Sequence, residues 1–284
     1  MSPPQTFSHA RLGRTGIPVH RLGLPTTGTI AIDTFEYAME RGINYFYWGW
    51  TRDEATFRQH FVQAFRNQSR IRDRLVLAIW WQPDTFNTTL DKMLRNLNTD
   101  YVDVLLLSVE DATPKYMERA RRLKEQGIVR WIGVTDRILG QVAPFPETIA
   151  KCNRAAAELL SSPEFDAFQV DFPASVDPVG DTRFWDRVPA HNPPGIVVSR
   201  AVDTRFLSSP APIAQGIRVP SFEDCYRFAL SNLAVSVCLC SARKRWNVDR
   251  ALAGLEKGLM TPQEQEWMRA YRSAVAHDPK RIYG

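Results

Sequence analysis

The sequence predicts an α/β protein built as a (β/α)₈ barrel. Short apolar runs alternate with amphipathic stretches over most of the 284 residues, which is typical of repeated βα units around a parallel sheet. The apolar runs number eight, and eight strands close a barrel of this kind. Because one such barrel commonly accounts for a chain of this length, we expect residues 1–284 to form a single domain.

The predicted strands follow one another along the whole chain. A β-hairpin is expected first, because Leu12-Gly13 and Gly16-Ile17 place turn-forming glycines between hydrophobic residues. The eight barrel strands are predicted at Arg21–Leu24, Tyr45–Tyr47, Leu75–Trp80, Val102–Leu107, Trp131–Val134, Ala167–Val170, Ile196–Val198 and Val235–Leu239.

Helical periodicity and capping residues predict the elements between these strands. Helices are expected over Asp33–Glu40 and Asp53–Asn67, and further helices are expected to begin at Thr88, Pro114, Glu147, Phe222 and Val248. Thr261-Pro262-x-Glu264 predicts the start of an extra C-terminal helix outside the repeat. The proline-rich stretch Phe172–Pro194 predicts an irregular loop over one barrel mouth.

Composition and motifs exclude several classes of function. No apolar run approaches the ~18 residues of a membrane helix, and Met1–His9 carries no secretory pattern, so a cytoplasmic location is expected. The net charge of +5 comes from basic residues interspersed with nearly as many acids, which argues against nucleic-acid binding. The chain has no Cys-x-x-Cys pair, and its five histidines are scattered, so no dedicated metal site is expected.

Four segments, in the same order as in the family, resemble the aldo-keto reductase superfamily. They are Leu12-Gly13-Arg14-Thr15-Gly16, Gly42-Ile43-Asn44-Tyr45-Phe46, Asp100-Tyr101-Val102-Asp103 and Gly127-Ile128-Val129-Arg130-Trp131-Ile132-Gly133-Val134. The resemblance covers most of the chain. It implies a barrel with a hairpin plugging one end and an extended NADP(H) molecule lying across the opposite, C-terminal mouth.

The resemblance also implies a catalytic set of aspartate, tyrosine, lysine and histidine, since carbonyl reduction needs a tuned proton donor. The matching positions are Tyr47, Arg52, Trp80 and Ser108. None carries the family's residue type, and we therefore expect the usual reductase chemistry to be missing. Tyr47 or Arg52 would have to act as an unusual proton donor if reduction were retained.

The cofactor contacts that the resemblance implies are only partly present. A Ser-Asn pair corresponds to Thr135-Asp136, the nicotinamide-binding glutamine corresponds to Gln169, and a stacking tyrosine corresponds to Ser199. The phosphate-binding segment begins at Ser241 and contains basic residues that suit a phosphate. If NADP(H) binds, the residues that would hold it are Thr135, Gln169, Ser241 and Arg243.

Side chains at the C-terminal strand ends form the active site of a (β/α)₈ barrel whatever the reaction. The candidates for catalysis are Tyr47, Trp80, Ser108, Glu110, Asp136 and Arg200, and Asp171 is a further possible acid or base. Other residues expected around this mouth are Trp48, Trp50, Trp81, Gln82, Asp111, Arg137, Gln169, Ser199, Asp203 and Arg205. Strand alternation favours Trp80 over Trp81 as the inward ring. Arg200 is expected either to bind a substrate carboxylate or phosphate or to form an ion pair with Asp203 or Asp171.

Three functions remain open. The leading hypothesis is a non-redox enzyme that isomerises, dehydrates or cyclises a small aromatic or polyketide-like molecule, because the mouth is rich in aromatic, acidic and basic side chains. The second is an NADP(H)-dependent oxidoreductase with an atypical proton donor. The third is a non-catalytic protein that binds a small ligand or regulates another process, since a fold alone does not decide function.

Overall fold

The barrel is closed and fully parallel. The structure, a computed structural model, describes residues 7–26, 30–49, 54–81, 90–136, 154–171, 182–202 and 204–276. Its strands are β1 (His9–Arg11), β2 (Pro18–His20), β3 (Leu22–Pro25), β4 (Tyr45–Trp48), β5 (Val76–Trp81), β6 (Val102–Ser108), β7 (Val129–Thr135), β8 (Ala167–Asp171), β9 (Gly195–Ser199) and β10 (Val235–Leu239). Strands β3 to β10 pair in chain order, and β10 closes the ring against β3. All eight predicted barrel strands are therefore confirmed, with shifts of one or two residues at their ends.

Helices surround the barrel. They are α1 (Ile32–Glu40), α2 (Glu54–Asn67), α3 (Leu90–Leu97), α4 (Pro114–Glu125), α5 (helical residues 154–159), α6 (Thr182–Trp185), α7 (Thr204–Leu207), α8 (Pro210–Ala214), α9 (Phe222–Leu230), α10 (Arg245–Glu256) and α11 (Pro262–Ala276). The extra C-terminal helix is α11, where the Tyr271 hydroxyl donates to the Phe206 carbonyl at 3.0 Å. None of the helices within the described ranges is both long enough and apolar enough to cross a membrane.

The start of one helix and the course of one loop differ from expectation, and two predicted helix starts lie outside the described ranges. Helix α10 begins at Arg245 and not at Val248, because the Asn247 side chain accepts from the Lys244 backbone N–H at 3.1 Å and caps an additional turn. The expected loop from Phe172 to Pro194 contains the one-turn helix α6, while residues 172–181 lie outside the described ranges. The helix starts predicted at Thr88 and Glu147 also lie outside them.

Alternate residues of each strand face opposite sides of the barrel wall. Phe46, Leu77, Ile79 and Leu105 belong to the large apolar cluster between the strands and the helices. The inner cluster holds the alternate positions, among them Tyr45, Tyr47, Val76, Ala78, Trp80, Val104, Leu106, Ala167, Val197 and Val237. The pleat thus separates the residues that support the fold from those available to a site.

The hairpin formed by β1 and β2 closes the N-terminal end of the barrel. Its strands pair antiparallel, and Leu12 and Val19 pack into the inner cluster beside Tyr45 and Val76. The Gly13 backbone pairs with Pro194, immediately before β9. With this end plugged, the C-terminal strand ends form the opposite mouth.

His20, in the second hairpin strand, makes the stability of the fold depend on pH. The imidazole is buried and its Nδ1 accepts from the Leu22 N–H at 3.0 Å. Burial, assisted by nearby His9, lowers the pKa of His20 to about 4. The unfolded chain, with its histidine pKa near 6.5, therefore binds more protons below that pH, so the folded state loses stability as the pH falls from 6.5 through 4.

We predict that His20 alone removes about 2–3 kcal/mol from the free energy of unfolding between pH 7 and pH 4.5. Urea unfolding of wild type and His20→Asn at both values tests this, because the variant should lose that much less. His191→Asn is the control, since His191 is exposed. Equal losses in wild type and His20→Asn would contradict the prediction.

Candidate active site

The C-terminal mouth gathers inward-facing side chains from six consecutive strands. Parallel strands in a closed ring place these ends at one edge. The side chains are Tyr47 (β4), Trp80 (β5), Ser108 (β6), Thr135 (β7), Gln169 (β8) and Ser199 (β9), each at most 8% exposed. Register places Ser108 beside Thr135, and Thr135 beside Gln169. The sequence predicts all six around this mouth or as cofactor contacts, and the structure brings them together.

Trp80 and Ser108 form a direct contact across neighbouring strands. The indole Nε1–H of Trp80 donates to the Ser108 Oγ at 2.9 Å, and both residues are buried. Trp80 belongs to the inner cluster, whereas Trp81 packs in the outer one with the Arg119 guanidinium 5.1 Å from its ring centre. The predicted inward orientation of Trp80 is confirmed. The hydrogen bond holds the indole as a fixed flat wall.

Tyr47 lies on the inner face of β4 and Trp48 on the outer face. A Cβ on Gly49 would lie 2.7 Å from the Cε1 atom of Tyr47, so the chain follows the phenol ring closely where the strand ends. Trp48 packs edge-to-face on Phe61, with ring centroids 5.8 Å apart, in the outer cluster. The expectation that Trp48 faces the mouth is therefore wrong. Strand β4 extends one residue beyond its predicted end, and the pleat turns Trp48 outward.

Two carboxylates, a serine and an arginine form a network at the ends of β7, β8 and β9. Asp136 Oδ2 accepts from the Asp171 backbone N–H at 2.7 Å. The Ser199 hydroxyl donates to Asp171 Oδ1, and Arg200 Nε lies 3.1 Å from Asp171 Oδ2. Of the two alternatives for Arg200, the described residues contain the ion pair with Asp171; Asp203 lies outside the described ranges.

The backbone of Arg200 is unusual. Its φ of +56° lies in the left-handed region, which among non-glycine residues of the described chain is shared by Asn98 and Asn192. Asparagine tolerates this region through local hydrogen bonds, whereas for arginine it is strained. Strain of this kind is concentrated at functional sites. Together with its partial exposure of 33%, it keeps Arg200 among the candidates.

Other predicted residues are more peripheral or outside the described chain. Glu110 is exposed on the short 3₁₀ segment Val109–Asp111 and makes no hydrogen bond to the carboxylate network. Ser241 and Arg243 are exposed just before α10. The mouth residues whose placement falls outside the described ranges are Trp50, Arg52, Gln82, Arg137 and Asp203, and nothing is described of the Arg205 side chain.

Asp171 and Ser199, both expected around the mouth, form a hydrogen bond that the sequence does not predict. Their partnership depends on the register between β8 and β9, which places Asp171 beside Ser199. The alternation Gln169-x-Asp171 was the available signal, because two residues on one face of a strand share the inner side.

Among the described residues of the mouth, Gln169 is the one with two buried side-chain polar atoms that lack a hydrogen-bond partner. Its side chain is fully buried, and neither its amide nitrogen nor its amide oxygen has a hydrogen-bond partner among the described residues. Phe168 and Val170 lie in the outer cluster, so Gln169 faces inward. Leaving a buried amide unpaired costs about 1–3 kcal/mol per group. This glutamine is therefore suited to a ligand that both donates and accepts.

Of the nicotinamide contacts that the resemblance implies around Gln169, Asp136, Ser199 and Trp80, these residues could form one. Gln169 could pair with a carboxamide, but Ser199 offers no stacking surface and its hydroxyl is bonded to Asp171. Asp136 Oδ2 is occupied by the Asp171 N–H, and the Trp80 indole fills the end of β5. The residues around the end of β5, Asp136 and Ser199 therefore do not fit a nicotinamide beyond its amide.

Clusters of three or more His, Cys, Asp or Glu side chains able to hold a metal ion do not occur among the residues that the structure describes.

Solved structures share this fold. An aldo-keto reductase of Bacillus halodurans in its holo form matches with a TM-score of 0.70 at 19% identity over 96% of this chain and 99% of that one. Its apo form matches with the same TM-score at 17% identity over the same shares. An aldo/keto reductase from Brucella melitensis matches with a TM-score of 0.66 at 15% identity, over 95% of this chain and 100% of the other. The chain therefore has the aldo-keto reductase fold.

No protein-family model matches the sequence, and no curated protein matches it. At the identities of the solved structures the likeness establishes the fold alone. The reaction has to be argued from the residues of this chain.

Proposed function

We propose that this protein is a non-redox enzyme that isomerises, dehydrates or cyclises a small aromatic or polyketide-like molecule at the C-terminal mouth. The observation that carries the proposal is the hydrogen bond between Trp80 and Ser108. These residues occupy the positions at which the resemblance implies lysine and histidine. An indole and an alcohol supply no charge at neutral pH to tune a neighbouring phenol, as reduction of a carbonyl requires.

The proposed proton acceptor is Asp136. Its carboxylate lies at the end of β7, and the Asp171 N–H fixes one of its oxygens. Removing a proton from a carbon next to a carbonyl moves the C–H electron pair toward the oxygen, and returning a proton to another atom completes an isomerisation without net oxidation or reduction. A positioned carboxylate contributes about 10²–10⁴-fold to such a step.

Tyr47 is the proposed donor to the substrate oxygen. Its ring is fixed on the inner face of β4 against Gly49, and a phenol can donate a hydrogen bond to developing negative charge. Trp80 supplies a flat wall for an aromatic or conjugated substrate. Arg200 and Ser199 hold Asp171, and Asp171 in turn holds Asp136 through its backbone, so these three residues position the base.

We predict that the purified protein exchanges a substrate C–H for deuterium in D₂O, or releases product, without added nicotinamide. The substrates are a panel of small aromatic and polyketide-like carbonyl compounds, ketones and cyclic amides among them, followed by NMR and mass spectrometry. Asp136→Asn and Tyr47→Phe should each lower the rate about 100-fold or more. Asp100→Asn and Tyr101→Phe change the same residue types at the opposite end of the barrel, and they should keep the wild-type rate.

A second candidate is an NADP(H)-dependent oxidoreductase with an atypical donor, and the unpartnered amide of Gln169 is the observation that favours it. Titration with NADPH should then quench tryptophan fluorescence, and turnover should require the cofactor. Conversion seen only with NADPH would overturn the non-redox proposal. A ligand that binds and is recovered unchanged would instead support a binding protein.

A further inference from the structure

The amide of Gln169 is a buried, unpaired donor and acceptor on the inner face of the barrel wall. Its two polar groups are one acceptor oxygen and one NH₂ donor. Neither has a partner within the described part of the chain, and the side chain has no solvent exposure. A group in this state is stabilised by a ligand that presents a donor and an acceptor side by side, because two hydrogen bonds then form together.

The surroundings restrict the shape of that ligand. Gln169 on β8 and Tyr47 on β4 lie on opposite walls, because four steps of the eight-strand ring separate β4 from β8. Strand pairing places Ser108 beside Thr135 and Thr135 beside Gln169. The Gln169 amide therefore lies at the same height in the barrel as Ser108, which accepts the hydrogen bond from Trp80. A flat ligand between these walls can stack on the indole while its edge reaches the amide.

We propose that the substrate of this mouth is a planar lactam or cyclic amide whose adjacent N–H and C=O pair with the Gln169 side chain. Gln169 is then a specificity residue. This inference rests on the proposed function for the idea that the bound molecule is the substrate, and it places the amide partner on the substrate and not on a nicotinamide. The unmatched contacts around Ser199 and Trp80 favour that placement.

The binding test uses three small probes and calorimetric titration. 2-Pyridone carries the adjacent N–H and C=O, and N-methyl-2-pyridone lacks the donor. Protonated 2-aminopyridine presents two adjacent donors, from its ring N–H and its NH₂ group, which suit a carboxylate. Wild type should bind 2-pyridone at least tenfold more tightly than N-methyl-2-pyridone. Gln169→Leu should reduce that ratio to about one, and Gln169→Glu should shift the preference toward 2-aminopyridine. Gln126→Glu, at an exposed position, is the matched control and should leave all three affinities unchanged.

A thermal melt separates ligand recognition from a structural role. If Gln169 is kept for a ligand, Gln169→Leu removes an unpaired buried amide and should raise the melting temperature of the free protein. A lower melting temperature combined with unchanged probe affinities would assign Gln169 to the fold and overturn the inference. Equal affinities of wild type for 2-pyridone and N-methyl-2-pyridone would also overturn it.

Three further outcomes distinguish this inference from the proposed function. If NADPH binds, Gln169→Glu lowers the affinity for NADPH tenfold and wild type does not bind 2-pyridone, the Gln169 amide binds the nicotinamide and the inference is wrong. If 2-pyridone is discriminated but no panel compound is converted, the lactam site stands and the proposed catalysis fails. If proton exchange occurs with no discrimination between the pyridones, the proposed catalysis stands and the lactam site is overturned.

Discussion

Replacing Gly13 by alanine is expected to destabilise the fold by about 3–4 kcal/mol. The φ of Gly13 is +47°, and an added Cβ would overlap the backbone N of Gly195 and the carbonyl carbon of Pro194. Overpacking typically costs about 1–3 kcal/mol, and the left-handed conformation adds about 1–2 kcal/mol for a residue with a Cβ. Because backbone atoms on both sides are held by hydrogen bonds, the overlap cannot be relieved by turning a side chain.

Gly16 provides the matched control in the same hairpin. Its φ is +69°, but a Cβ there would meet nothing within 4 Å. Gly16→Ala should therefore cost only the conformational part, about 1 kcal/mol. Urea unfolding of both variants measures the difference, and equal midpoints would show that the hairpin and the start of β9 are not in tight contact.

The contact between Gly13 and β9 explains why the Leu12-Gly13-Arg14-Thr15-Gly16 segment could be identified from sequence as a structural signal. Leu12 fills the inner cluster and Gly13 lets the chain pass against Pro194. Both are properties of local residue type, so a single sequence contains them. The eight strands were predictable for the same reason, since apolar runs and turn residues recur at short range.

The carboxylate network is a different kind of feature. The bond from the Asp171 backbone to Asp136 joins residues 35 apart, and the bond from Ser199 to Asp171 joins residues 28 apart. These contacts depend on the register of β7, β8 and β9, which changes the partner of every side chain if it slips by one residue. The sequence predicts Asp136 and Arg200 as candidates and offers Asp171 as a partner of Arg200, but it does not predict the contacts that join Asp171 to Asp136 and Ser199.

Orientation within one strand was predictable where alternation was applied to two neighbouring residues. Both β4 and β5 extend one residue beyond their predicted ends. For Trp80 and Trp81, alternation allows one inward ring, and Trp80 faces inward as expected. Tyr47 and Trp48 were both expected in the mouth although the same alternation allows only one of them to face it, and Trp48 lies against Phe61.

The proposed non-redox enzyme uses the inner wall of this fold in two ways. Gln169 offers an unpaired amide, and the proposed base Asp136 is held by a hydrogen bond from the Asp171 backbone. In the proposed enzyme, the polar atoms of β7 to β9 do the positioning while the aromatic rings of β4 and β5 form the opposite wall. The proposed specificity residue Gln169 and the proposed base Asp136 are direct neighbours, because the Asp136 backbone N–H donates to the Gln169 carbonyl at 3.2 Å.

The second large effect is expected at Arg72, at the N-terminal end of the barrel. Its guanidinium lies 2.9 Å from Asp103 Oδ2 and donates to the carbonyls of Leu75 and Tyr101, each at 2.9 Å. Arg72 and Asp103 are both buried. Arg72→Met would leave a buried carboxylate with less compensation and two carbonyls without their donor, and we expect it to cost about 3–5 kcal/mol at pH 8.

The loss of unfolding free energy in Arg72→Met should depend on pH. The protonation of Asp103 determines whether the loss grows or shrinks as the pH falls. Burial raises the pKa of Asp103, although the Arg72 guanidinium acts to lower it. Without Arg72 the pKa of Asp103 rises further, so the carboxyl group becomes neutral at a higher pH and its burial is then less costly. The deficit of Arg72→Met relative to wild type should therefore be smaller at pH 5 than at pH 8.

Arg121→Met is the control for this experiment, because Arg121 pairs with Glu164 on the surface, where both side chains are more than 40% exposed. An exposed pair contributes about 0–1 kcal/mol, so this variant should unfold close to wild type at both pH values. Chemical unfolding at pH 5 and pH 8 gives all the values required. A deficit of Arg72→Met that is unchanged or larger at pH 5 would mean that the arginine acts through its carbonyl contacts and packing, and not by compensating the charge of Asp103.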